Sequence, residues 1–385
     1  MKIKIAILGS TGSIGKNLLE IVNRDLKKYE IVLLTANKNF SGLIKQAKKF
    51  NVKNIIINDK DVYESLKKKN KNNKINIYNN HKSFSKIFKK KIDYVMSSIS
   101  GIDGLRPTLE IIRFTKKIAI ANKESIVCAW NLIDRRLKKY KTKFVPVDSE
   151  HFSLWFALQN ISTSTIEKIY LTASGGPLLN IPKSNLKNIK ISQALKHPTW
   201  KMGKKISIDS STMMNKVFEV IEAKHLFNLP YDKISILTHP NSYIHAIVKL
   251  KSGLIKIIAH DTTMKIPIFN TINNQKNHSI ITDDLNLKKL NNLNLKEVNN
   301  KCFPMVNILK LLPNQISLYE TVITTANDYL VNLFLKNKIK YDQIQKLLFK
   351  FIKNKKLTKY KKIKAKNIDD IIFVKNIVSS NINNF

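Results

Sequence analysis

Two acids stand almost side by side in VPVDSEHF (145–152), where Asp148 and Glu150 follow a short apolar run that reads as the end of a strand. Alternate positions on an extended segment face the same way, so both carboxylates can aim at one point. Such a pair repels unless a proton or a cation sits between its members. A set of oxygen ligands suits Mg2+ or Mn2+ better than zinc; the plain alternative is two solvated acids before a helix. A third carboxylate is on offer in SIDSSTMMNKVFEVIEAKHLF (207–227). A helix capped there by Asp209 or Ser210 puts Ser211, Asn215 and Glu219 at i, i+4, i+8 on one face, with Met214, Val217 and Ile221 toward the core. Spacing leaves both Glu219 and Glu222 open as the third ligand. The same helix start presents Ser210, Ser211, Asn215 and Lys216, which suits a phosphate ester.

A second chemistry is carried by ILGSTGSIGK (7–16), in which Gly9, Gly12 and Gly15 follow a strand and open a helix. Glycines allow a tight turn and close approach to a pyrophosphate, which the free N–H groups of the helix start then attract. A Walker loop is excluded, because its first glycine would fall on Ser10 and its hydroxyl residue on Asn17. Dinucleotide enzymes that use NAD place an acid after the second strand. Here that strand runs into Ala36, Asn37, Lys38 and Asn39, so Lys38 and its neighbours point to a 2′-phosphate and hence NADP(H). Further along, TASGG (172–176) ends a strand in a glycine turn with Ser174, and HPTWKMG (197–203) reads either as a lid carrying His197 and Trp200 or as a loop that Trp200 pins to the body. His151, His197 and His245 are candidate proton carriers.

The elements that must position these groups change rhythm midway. Short apolar runs at 3–8, 30–36, 54–57, 93–96, 117–121 and 144–147 alternate with helix-length segments, the pattern of a Rossmann-like, doubly wound parallel sheet in an α/β fold. Beyond residue 148 strands at 169–173 and 234–237 and a hairpin, 243–250 with 254–259, indicate a central α+β catalytic domain. The expected organisation is a nucleotide-binding domain over 1–147, a catalytic domain over 148–283 with a flap near 180–206, a linker over 284–310, and a helical domain over 311–385. In that last part Ile344, Leu347, Leu348 and Phe351 recur at helical spacing.

Composition narrows the class. The chain has 385 residues and a net charge of +41, yet of 68 basic residues only five are arginine. Base-reading proteins lean on arginine forks, so lysines on solvated faces are the better reading and no nucleic-acid partner is expected. The lysine, asparagine and isoleucine bias suggests an AT-rich bacterial source such as a symbiont. No apolar run approaches a membrane span, and a strand beginning at Ile3 leaves no room for a leader, so a cytoplasmic protein is expected. Cys128 and Cys302 lack metal or disulfide spacing.

Taken in order, GSTGSIG (9–15), ANKES (121–125), PVDSEH (146–151), SGGP (174–177), HPTWKMG (197–203), DSSTMMNK (209–216) with Glu219, and HPNSYIH (239–245) closely resemble the 1-deoxy-D-xylulose 5-phosphate reductoisomerase family. The resemblance implies that Asp148, Glu150 and Glu219 hold Mg2+ or Mn2+. It implies that Lys123 and Ser149 meet the reacting end of a sugar phosphate whose phosphate is bound by Ser174, Ser210, Asn215 and Lys216. His197, Trp200 and Met202 would belong to the closing flap. Thr11, Gly12, Ser13, Ile14, Asn122, Glu124 and Gly203 would touch NADPH, with Gly9, Ser10 and Lys123 beside them. The implied reaction is a skeletal rearrangement followed by hydride transfer, carried out by a homodimer. Asn37 departs from the family, where glycine is common.

Overall fold

The computed structural model describes residues 1–69, 75–273 and 279–383. Two compact units are formed, the first by Met1–Ser125, Leu132–Asp148 and Met264–Ile280, the second by Ile126–Asn131, Ser149–Thr263 and Ile281–Phe385.

The first unit is the expected Rossmann-like sheet. Strands β1 (Ile3–Leu8), β2 (Tyr29–Ala36), β3 (Asn54–Ile57), β4 (Asn76–Tyr78), β5 (Ile92–Ser97), β6 (Thr115–Ile120) and β7 (Lys143–Pro146) pair in the order β4-β3-β2-β1-β5-β6-β7, all parallel. Parallel strands covered on both faces need continuous apolar runs, and Ile5, Ala6, Ile7 and Leu8 are all fully buried. The strand order reverses at β1, so the crevice beyond the C-terminal ends of β1 and β5 is where ligands bind in such sheets. The segment Met264–Ile280, expected within the catalytic domain, belongs to this unit. Its helix Lys265–Ile272 buries Ile268 and Ile272 in the first core, Thr271 Oγ1 lies 2.7 Å from Tyr94 OH, and Asn273 Oδ1 accepts from Tyr29 OH at 2.6 Å. Such a return is set by non-local packing and leaves no local mark in the chain.

In the second unit β8 (Ile166–Ala173), β9 (Ile234–Thr238), β10 (Ile244–Leu250), β11 (Ile255–Ala259) and β12 (Lys296–Glu297) form a mixed sheet in the order β11-β10-β8-β9-β12. The hairpin is β10 with β11, turning at Gly253. The stretch expected as a linker is structured: Lys296 and Glu297 pair with Thr238 and Leu237, and the 3-10 helix Pro304–Leu311 buries Met305 and Ile308. Helices Tyr319–Leu335, Tyr341–Ile352 and Ile368–Asn383 complete the unit, the second turning Ile344, Leu348 and Phe351 inward. No helix among the described residues is long and apolar enough to cross a membrane.

The helix Met214–Phe227 is buried on every side, His225 included. Burial, with the Lys224 charge beside it, pushes the His225 imidazole down to about 3 from 6.5. As pH falls the unfolded chain therefore binds the proton first. Stability from keeping this ring neutral is present above about pH 6.5 and is lost as pH falls toward 3. From pH 7 to pH 5 the urea midpoint should drop by an amount worth about 2 kcal/mol from this residue, a slope that His225→Gln should flatten.

Candidate active site

The glycine turn of the first unit leaves β1 through Gly9, at φ +84°, where an added Cβ would stand 2.9 Å from the Ser98 carbonyl oxygen at the end of β5. Only glycine meets both conditions. Gly12, whose N–H closes the turn onto the Gly9 carbonyl at 3.1 Å, then caps the helix Ser13–Asn23 with no side-chain hydrogen bond, so Ser13 and Ile14 present the backbone N–H groups of the helix start. Ser10 offers no hydroxyl outward: it is fully buried, and its Oγ donates to Gln46 Oε1 at 2.8 Å while Gln46 Nε2 returns to its carbonyl at 3.0 Å. Beyond β2, Ala36 is buried and Asn39 caps the helix Phe40–Lys49 by accepting from Gly42 N. Asn37 and Lys38 are exposed, and Lys38 Nζ lies 3.5 Å from Asp59 Oδ2. A carboxylate therefore does stand near this loop, brought from the end of β3, where the strand-by-strand reading expected none. Asn122 caps the helix Lys123–Lys139 through Ser125 N and donates to the carbonyls of Ile99 and Gly101, so its amide holds the loop. Glu124 occupies the first turn of that helix, and Gly203 stands in the second unit as the cap of the helix Lys204–Ser211.

Ligand oxygens of Asp148, Glu150 and Glu219 lie within 4.8 Å of one another. They converge by a route other than the one expected. Asp148 follows β7, but Ser149 begins the helix Ser149–Ala157, so Glu150 sits in a helical first turn and not on an extended strand. Glu219, not Glu222, is the third member; Glu222 Oε2 lies 3.5 Å from His151 Nδ1, and His151 Nε2 donates to the Glu219 carbonyl at 2.8 Å. His151, fully buried, braces the helix instead of facing the site. Each carboxylate meets a lysine. Lys123 Nζ is 2.9 Å from Asp148 Oδ2, and Lys216 Nζ is 3.1 Å from Glu150 Oε1 and in direct contact with Glu219 Oε2. Ser149 Oγ donates to Glu150 Oε2, and Asn215 Nδ2 to Glu219 Oε1, both at 2.5 Å.

The expected single helix from Asp209 through Glu222 is in fact two. Lys204–Ser211 ends, Met213 takes a left-handed conformation at φ +65°, and a new helix starts at Met214. Asn215 and Glu219 share a face; Ser211 does not, since its hydroxyl donates to the Ile208 carbonyl and accepts from Tyr341 OH. Asp209 is no cap either. Its carboxylate accepts from Asn327 Nδ2 at 2.8 Å and pairs with Lys205 at 3.0 Å, and Lys205 continues to Asp328 at 2.9 Å. Ser174 and Ser210 are brought together by Gly176, at φ +69°, whose added Cβ would meet the Ser210 carbonyl oxygen at 2.8 Å. In the segment 197–203, His197 Nδ1 accepts from Thr199 N and Trp200 N at 3.2 and 3.0 Å, which leaves the proton on Nε2, 3.0 Å from Ser174 Oγ. Burial pushes this imidazole down to about 4, so it is a neutral donor near pH 7. Trp200 meets His245 edge-on at 6.2 Å, His245 stacks on His260 at 3.7 Å, and Met202 is half-buried nearby in sequence.

Residues 5–130 match the family described as 1-deoxy-D-xylulose 5-phosphate reductoisomerase, and residues 144–227 and 261–379 match its two C-terminal domain families. A relative of that name from Pelagibacter ubique is 55% identical over 98% of each chain. The chain belongs to the 1-deoxy-D-xylulose 5-phosphate reductoisomerase family. Among solved members, the enzyme of Zymomonas mobilis in complex with NADPH is 30% identical, with a TM-score of 0.88 over 99% of this chain and 98% of its own. A DOX-P reductoisomerase in complex with NADPH, fosmidomycin and magnesium is 29% identical, with a TM-score of 0.91 over 99% and 97%.

Several supports of this family site escaped the sequence reading: Gln46 under the glycine turn, Asp59 beside Lys38, and Asn327 and Asp328, which hold Asp209 directly and through Lys205. Only the i, i+4 pair Lys205 and Asp209 had a local signal. The Gly176 contact yields a direct check. Gly176→Ala should cost about 1 to 3 kcal/mol through the left-handed backbone alone, read as a lower melting temperature, and should weaken inorganic phosphate binding by displacing Ser210.

Proposed function

We infer that the chain catalyses the NADPH-dependent, divalent-metal-dependent rearrangement and reduction of 1-deoxy-D-xylulose 5-phosphate to 2-C-methyl-D-erythritol 4-phosphate in the non-mevalonate isoprenoid pathway. Family membership supports the reaction, and the observation that carries its chemistry is the convergence of three carboxylates, each met by a lysine. That all-oxygen, anionic donor set fits a hard divalent cation, and solved relatives hold NADPH and magnesium. Asp148, Glu150 and Glu219 are the proposed metal ligands, and the turn Gly9–Ile14 with Lys38 the proposed NADPH contacts. When bound, the ion supplies Lewis acidity to the sugar carbonyl and hydroxyl oxygens, and NADPH supplies hydride.

The chain's own residues orient and enclose the substrate. Ser174, Ser210, Asn215 and Lys216 form the proposed phosphate cradle, in which His197 fixes the Ser174 hydroxyl by donating through Nε2. Lys123 and Ser149, flanking the carboxylates, hold the reacting end. The flap from residue 180 to 206, with Trp200 against His245, excludes water. Residues 1–147 form the proposed nucleotide-binding part, 148–283 the catalytic part and 311–385 a helical part. A cytoplasmic location is part of the same proposal and rests on the bacterial relatives.

A homodimer is proposed through the edge strand β11, which exposes Ile255 and Ile257 at 57 and 50%, with Leu254 just before it at 67%. An unpaired apolar edge is a template for a second copy. Sedimentation should give a dimer, and Ile257→Lys a monomer; a monomeric parent chain would refute the dimer.

NADPH oxidation followed at 340 nm should require deoxyxylulose phosphate and stop in excess EDTA, with recovery on added Mn2+. Glu219→Gln should abolish turnover, by a factor on the order of 10³ or more, while NADPH binding followed by fluorescence stays intact. Unchanged activity in chelator would remove the metal mechanism.

A further inference from the structure

We propose that Lys216 is a built-in placeholder for the metal, and that a phosphate group drawing it off Glu150 and Glu219 makes metal and phosphate bind cooperatively. The proposal deepens the metal and phosphate assignments above and rests on them.

Both oxygens of each of these two carboxylates have a partner. On Glu150 one oxygen accepts from Ser149 Oγ and the other faces Lys216 Nζ at 3.1 Å; on Glu219 one accepts from Asn215 Nδ2 and the other touches the same Nζ. An oxygen that accepts one hydrogen bond keeps a second lone pair, but a cation at the two oxygens that Lys216 holds would compete with it directly. A divalent ion binds such oxygens at about 2.0 to 2.1 Å, so with Nζ in place two cations would lie within roughly 5 Å of each other in a poorly screened interior. Charge balance gives the same result. Three carboxylates and two lysines leave one negative charge, which a divalent ion alone would turn into a positive excess. The lysine therefore has to yield.

Where it can go is limited. Lys216 is 4% exposed, and an ammonium left unpaired in the interior is costly. The groups nearest along the backbone are those of the proposed phosphate cradle: Met213 N donates to the Ser210 carbonyl, and Lys216 N to the Met213 carbonyl, both at 3.1 Å. The hydroxyls there are neutral and cannot replace a carboxylate as counter-charge. A phosphate dianion can. Lys216 is three residues from Glu219 on one helix, so rotation of its flexible side chain exchanges one anion for the other without moving the backbone. Phosphate then stabilises the departed lysine, the freed oxygens take the metal, and by linkage the metal tightens phosphate by the same factor. The free protein consequently holds divalent ions weakly and loads them together with its phosphorylated ligand.

Calorimetric titration of the full-length protein with Mn2+, with and without inorganic phosphate and corrected for manganese phosphate in solution, tests the exchange. Phosphate should tighten Mn2+ about tenfold in the parent protein. Lys216→Met should bind Mn2+ more tightly than the parent in the absence of phosphate and should lose the phosphate effect. Manganese binding that Glu219→Gln abolishes but that is indifferent to phosphate in the parent protein would overturn the placeholder and leave the metal site standing. Binding that Glu219→Gln leaves unaltered would overturn both. The parent titration needs no variant, so a misfolded Lys216→Met protein does not rescue the idea.

Discussion

Repulsion between carboxylates in a protein interior is the constraint around which this molecule is arranged. Glu219 is almost completely buried and shares its surroundings with Asp148 and Glu150. Such a group of like charges persists only with cations against it and with rigid walls behind it. Lys123 and Lys216 supply the cations. The walls are a helix buried on all sides, braced by His151 through the Glu219 carbonyl. An ordinary amphipathic helix would have let the acids drift toward water. This one cannot.

The same logic extends outward to the proposed phosphate cradle. The helix Lys204–Ser211 is tied at Asp209 to Asn327 and, through Lys205, to Asp328, both on Tyr319–Leu335, and at Ser211 to Tyr341 on the following helix. The left-handed Met213 then re-aims the chain, so that Ser210 ends one helix while Asn215 and Lys216 begin the next. Helices more than a hundred residues later in the chain thus set where a serine stands. In the segment 197–203, His197 works as a fixed neutral donor, because two backbone N–H groups occupy its other nitrogen.

Much of this was legible in the residues. The strand rhythm foretold the doubly wound sheet, the glycine spacing foretold the strand–turn–helix at Gly9, and the hairpin at Gly253 stood where the turn residues put it. What failed did so for identifiable reasons. Asp148 and Glu150 were read as alternating on a strand, yet the helix begins between them. Asp209 and Ser210 look like caps, but the interior offered Asp209 stronger partners in Lys205 and Asn327. Lys38 looked unopposed because Asp59, its partner, belongs to the next strand. The stretch at 284–310 looked featureless, and its two-residue strand exists only because β9 has an edge to pair.

Sequence by itself determined the local chemistry: which residues bear charge, which turns need glycine, which runs are apolar enough to become strands, and, by resemblance, the family. These are properties of neighbours along the chain. Tertiary structure alone decided which lysine meets Glu219 and that Met264–Ile280 closes the first core, and it brought Glu219, left open with Glu222 by spacing and singled out by resemblance, to Asp148 and Glu150. Those choices depend on distances between segments far apart in the chain, set by packing and desolvation, which periodicity and spacing do not encode.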